Sequence, residues 1–179
     1  MSQRPTFAEQ FVAELQAEGE ITRRFIARIP NDHLGWRAHD KSHTIGELAY
    51  HLAVLPQAIP AASLMEPFAA DEAGSFWEQP SSVDEVLATL DASLAAGEEQ
   101  LGSMSDDDYL SIWNATVGGN VVMTIPRDVM LRNILFNHTC HHRGQLGVYL
   151  RLIGEKVPSS YGPSGDEMPS SLADMAETA

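Results

Sequence analysis

An apolar repeat in the last third of the chain constrains the fold most. Val129, Met130, Ile134, Leu135, Leu146, Tyr149, Leu150 and Ile153 recur at helical spacing. Thr124 and Pro126 introduce the stretch, and Gly154 closes it as a C-cap. Three shorter stretches follow the same rule. Phe11, Val12, Leu15, Phe25, Ile26 and Ile29 form the first, opened by Thr6 with Glu9 in capping-box spacing and ended by Pro30 and Asn31. Ile45, Leu48, Ala49, Leu52 and Leu55 form the second behind Thr44 and Glu47, with Pro56 and Pro60 set to kink it, end it or open a new segment. Val86, Leu87, Leu90, Leu94 and Leu101 form the third behind Ser82 and Glu85, stopping near Gly102. Four such segments predict an all-α four-helix bundle.

The connections are less regular. Residues 31–43 have no consistent period and read as a loop, and Gly74 to Pro80 is a break. Between helices three and four, Tyr109 to Ile125 carries Ile112, Trp113, Val117, Val121, Val122 and Met123 around Gly118-Gly119-Asn120, which predicts a short β-hairpin with a glycine turn. Beyond Gly154 the apolar content is too low for another helix, so this segment is expected to lie as a loop over the bundle. Residues 1–167 are thus expected to form one domain, with 168–179 as a flexible tail.

The 179 residues suit one domain and can bury a core without disulfides or a structural metal. Eleven Lys and Arg stand against 25 Asp and Glu, a net charge of −14, which disfavours nucleic acid and anionic membranes as partners. Cys140 is the only cysteine, so an intrachain disulfide is excluded. Neither a signal-peptide h-region nor a membrane-spanning run is evident, and a cytoplasmic location is expected.

Chemistry concentrates in residues 137–145, N-H-T-C-H-H-R-G-Q. On a helix His138 and His142 lie about 40° apart on adjacent turns, so their imidazoles can converge on one ion. Ile134, Gln145 and Tyr149 share nearly the same stripe, which places the pair along the buried face. The spacing alone equally fits two ordinary core or surface histidines. His51, within about 60° of both Leu48 and Leu55 on helix two, is the best candidate for a third ligand. His141 competes with His142 for a place in the site, whereas His33, His39 and His43 fall in the polar loop and read as exposed.

These residues carry a family resemblance. H-L-A at residues 51–53, H-x-x-x-H-R-G-Q-L from His138 to Leu146, and G-x-x-V-P-x-x-Y-G-P-S-x-D-E from Gly154 to Glu167 resemble the DinB/YfiT-like family of metal-dependent proteins. The resemblance implies an up-down-down-up bundle, commonly dimeric, holding nickel, zinc or a similar divalent transition metal on one histidine of helix two and two of helix four. By motif these are His51, His138 and His142, which decides against His141. It also implies a transferase that joins a low-molecular-weight thiol to a small electrophilic substrate. Three imidazoles form a neutral ligand set that leaves the ion an open position, as reactive sites do. A stress-related metal-binding or interaction protein without turnover, and a metal-dependent hydrolase, are the alternatives.

Around the ligands, Gln145 is expected to orient a histidine, and Tyr161 and Trp36 are candidates to line a pocket. No general base is named by the sequence, and Asp166 and Glu167 read equally well as solvated loop charges. Arg143 and Cys140 point away from the histidine stripe, Arg143 toward an acidic neighbour or a dimer partner and Cys140 as a packed thiol. A homodimer is expected from the apolar surplus of helix four, since Val129, Met130, Leu135, Val148 and Leu150 widen its apolar face beyond what one bundle covers.

Overall fold

A computed structural model describes residues 4–169. Helix α1 spans Phe7–Ile26, α2 Ile45–Ser63 and α3 Val83–Gly102. A fourth helical rod runs without a break through α5 (Arg127–Met130), a π-helical stretch (Leu131–Asn137) and α6 (His138–Leu152). The short helix α4, Asp106–Leu110, follows α3. The protein is mostly helical, and none of the described helices is long and apolar enough to cross a membrane. The expected tail falls largely on residues 170–179, which lie outside the described residues.

The helix starts follow their sequence signals. Thr6 and Thr44 each accept a hydrogen bond from the backbone N–H three residues on, and Glu9 and Glu47 reach back to complete both capping boxes. Ser82 caps α3 in the same way, while the Glu85 carboxylate accepts from the N–H of Ser81. At the other end of the chain, Gly154 takes φ 88° and lets Glu155 N–H bond the Leu150 carbonyl at 2.9 Å.

Pro56 and Pro60 do not end helix two, which continues through both to Ser63. Tertiary packing compensates for the disrupted hydrogen bonding. The Ser93 hydroxyl, presented by α3, accepts from Gln57 N–H at 2.9 Å and donates to the Val54 carbonyl at 3.2 Å. Gly97, one turn further along α3, lies so close to Pro56 that a Cβ would sit 2.1 Å from its carbonyl oxygen.

The expected hairpin is one part of a larger element. Strands β2 (Ile112–Val117) and β3 (Asn120–Pro126) pair antiparallel around Gly118 and Gly119, both at positive φ. A third strand, β1 (Phe68–Ala69), adds in parallel beside β2, with Phe68 opposite Ala115, so the element is a three-stranded sheet ordered β1-β2-β3. Two residues are too few to show a period, which hides β1 in the sequence. Tyr109 belongs to α4, not to a strand, and its ring is fully buried with its hydroxyl on the Leu101 carbonyl.

One core joins these parts: Ile26, Ile45, Leu52, Leu90, Leu101, Leu131, Leu135 and Leu146 are almost completely buried, and Trp113 of β2 enters it with its indole N–H on the Ala62 carbonyl at 3.0 Å. Met130, Leu135 and Leu150 are buried in this core, which removes most of the apolar surplus expected on helix four; Val129 and Val148 remain exposed. The C-terminal loop lies over α1 and α6, tied down by Arg24–Glu167 at 3.0 Å and Arg151–Asp166 at 2.5 Å. Asp166 and Glu167 are therefore paired groups, not free loop charges.

Candidate metal centre

His51 projects from the middle of α2, and His138 and His142 from the first two turns of α6. The three rings meet: each offers a nitrogen within 4.8 Å of the other two, and their centroids lie 4.4–5.3 Å apart. His51 is buried, with 3% of its surface exposed, and His142 keeps 8%.

Hydrogen bonding assigns the protons. The Nδ1 of His51 lies 3.2 Å from the Phe76 carbonyl, which can only accept, so Nδ1 carries hydrogen and Nε2 keeps its lone pair. That Nε2 is buried without a hydrogen-bond partner. The Nδ1 of His142 donates to Gln145 Oε1 at 2.8 Å, which leaves its Nε2 2.6 Å from the Nε2 of His138. A contact this short needs a hydrogen or a cation between the two nitrogens. Gln145 also offers its amide nitrogen to His141 at 3.2 Å and so fixes its own orientation.

Burial acts on the charge state in the same direction. It pushes the pKa of His51 down to about 4, with repulsion from His142 adding to the shift and the Phe76 carbonyl opposing it. Burial likewise takes His142 to about 4, against the bond it donates to Gln145, and lowers His138, against the Ile134 carbonyl. At neutral pH the cluster presents uncharged imidazoles, the protonation state in which histidine binds a metal.

Trp77, which sequence reasoning passed over, completes the setting together with His43. Trp77 stacks on His51 at 3.8 Å and 3°, and His43 stacks on the other face of Trp77 at 3.7 Å and 7°. His43 is exposed, as expected of the loop, yet its ring is held in this stack and its Nδ1 lies 3.5 Å from Glu47. The available signal was Phe76-Trp77, an aromatic pair inside the polar break from Gly74 to Pro80. Beside His51 and His138 opens a cavity of about 500 Å³.

Neither Tyr161 nor Trp36 is on the lining of that cavity. The Tyr161 hydroxyl meets Glu18 at 2.7 Å and Cys140 Sγ at 2.6 Å, and its ring lies under Arg143. Arg143 is buried in an ion pair with Glu18 at 2.6 Å, so its acidic neighbour comes from α1 of the same chain. Trp36 packs edge-on against Tyr149, 5.4 Å between centroids. The histidine stripe of α6 and the stripe of Cys140 and Arg143 point in different directions, which separates the C-terminal loop from the site.

The fold and the cluster define a mostly helical protein with three histidines within metal-binding distance. The sequence profile of the DinB family matches residues 1–173, and the chain belongs to that family. Among solved structures it is similar to a DinB-like protein from Bacillus cereus, with a TM-score of 0.68 and 22% identity over 86% of this chain and 97% of that one. It is also similar to a DinB-like protein from Bacillus subtilis, with a TM-score of 0.65 and 14% identity over 89% and 96% of the two chains. At such identities the likeness establishes the fold alone. No curated protein matches the chain significantly.

Proposed function

We propose that His51, His138 and His142 hold one divalent transition-metal ion, zinc or nickel, and that the protein is a transferase joining a low-molecular-weight thiol to a small electrophile. The observation that carries the metal site is the meeting of one ring nitrogen from each histidine within 4.8 Å of the other two, with His51 Nε2 buried and unpartnered. A bound ion of this kind lowers the pKa of a thiol or water it holds and so supplies a nucleophile at neutral pH. The protein's part is orientation. Phe76 and Gln145 hold the Nδ1 hydrogens of His51 and His142, and Trp77 fixes the ring plane of His51. Transfer is favoured over hydrolysis because no carboxylate lines the cavity beside His51 and His138 among the described residues.

Single substitution of His51, His138 or His142 by Ala is expected to lower metal affinity at least about tenfold, while His141→Ala binds normally. Isothermal titration with zinc checks this, and full affinity in His138→Ala would overturn the assignment. Cobalt-loaded protein titrated with a thiol is expected to show sulfur-to-metal charge-transfer absorption; its absence would leave metal binding without thiol chemistry. We further read the four long helical segments as an up-down-down-up bundle that pairs as a homodimer. Light scattering should then give twice the 19.6 kDa of one chain. A monomer at micromolar concentration would show that the C-terminal loop gives sufficient cover.

A further inference from the structure

The cavity beside the histidines has a chemical character that the ligand set does not dictate. Ala58 and Ala62 of α2 leave room on one side, Trp113 of β2 forms another wall, and Ile134 from the π-helical stretch a third. The polar side chains on its lining are His51 and His138, and no Asp, Glu, Lys or Arg lines it among the described residues. A charged or hydroxyl-rich molecule placed there would give up water for no hydrogen bond in return, apart from those at the two rings. An alkyl or aryl body would gain on entry, and the space of about 500 Å³ lies within the ordinary range for a small-molecule site. The net charge of −14 also opposes the approach of an anion.

The geometry points to an uncharged, apolar substrate: an alkyl or aryl electrophile whose body fills this cavity and whose single polar end lies at His51 and His138. The inference rests on the proposed transferase reading and names the substrate class for it: a bond forms from the thiol sulfur to the carbon that carries the polar end as the bond from that carbon to its polar leaving group breaks, and the leaving group departs to solvent with the thiol's proton.

The test uses the full chain, metal-free, and a homologous series of 1-alkanols from butanol to octanol as probes in isothermal titration. Affinity is expected to rise about fourfold per methylene until the cavity is full. Octanoate, the same length with a charge, is expected to bind at least about tenfold more weakly than octanol. Ala58→Trp fills the space from a helix that keeps its backbone, and Ile134→Asp places a charge in it. Either is expected to abolish octanol binding, and in Ala58→Trp, two helical turns from His51, zinc affinity measured on the same preparation is expected to stay within about twofold of the unsubstituted chain. If one variant fails to fold, the other and the alkanol–alkanoate comparison still decide. Affinity that is flat with chain length, or octanoate binding as tightly as octanol, would overturn the substrate class even with zinc binding intact. Loss of zinc binding with the alkanol series intact would overturn the metal reading and leave an apolar ligand site.

Discussion

His51 combines three features: near-complete burial, a donor bond to a carbonyl, and a second nitrogen with no partner. Burial without compensation holds the ring neutral, and the consequence is a pH dependence of stability. His51 and His142 have folded-state pKa values of about 4, against 6.5 for an ordinary imidazole. Above about pH 6.5 both folded and unfolded chains carry neutral rings, and the contribution is constant. Between about pH 6.5 and about pH 4 the unfolded chain binds protons that the folded site rejects, so metal-free protein is expected to lose stability as pH falls through that window. Urea unfolding of chelated protein across the window measures this. His51→Gln is expected to flatten the slope, and an identical slope in that variant would contradict the assignment.

The contact between α2 and α3 is the element-scale feature that allows two prolines inside α2. Ser93 satisfies the backbone next to Pro56, and Gly97 makes room for its carbonyl. Gly97→Ala sets two effects against each other. Alanine gains roughly 1 kcal/mol of helix propensity over glycine. A Cβ at 2.1 Å from the Pro56 oxygen and 2.9 Å from its carbonyl carbon meets backbone that cannot rotate away, and overpacking of this kind costs about 3 kcal/mol. A net loss of about 2 kcal/mol is expected from denaturant unfolding. Gly102→Ala, at the end of the same helix with nothing within 4 Å, is the control and should be neutral or stabilising. A stable Gly97→Ala protein would show that the two helices separate freely at the proline.

For the molecule as a whole, the metal is expected to add to stability without creating the fold. The core residues named above come from every long helix and from β2, and the histidines lie where that core opens into the cavity. Chelation should lower the melting temperature, since a ligand at a hundred times its Kd contributes about 2.7 kcal/mol, yet leave the helical circular dichroism of the folded state. Collapse of the helical signal on chelation at room temperature would make the metal structural.

Much of this was already determined by local chemistry. Helical periodicity, the capping boxes at Thr6 and Thr44, and the closing Gly154 each depend on residues within a few positions of one another, and those signals can be read along a chain. So can the four-residue step from His138 to His142, which brings two rings to one helix face wherever the helix is placed. What spacing could not supply was the partner across the fold. The approach of His51 to the pair depends on how α2 packs against α6, and residue spacing on α2 put it only at the flank of the buried stripe. The course of α2 through Pro56 depends on Ser93 and Gly97, more than thirty residues away, and the stacking of Trp77 between His43 and His51 depends on a loop with no period at all. The sheet gained β1 and the Cys140–Arg143 stripe met Tyr161 for the same reason. Contacts between distant segments are selected by the collective burial of the core, and a short-range pattern carries no record of which partner that burial brings.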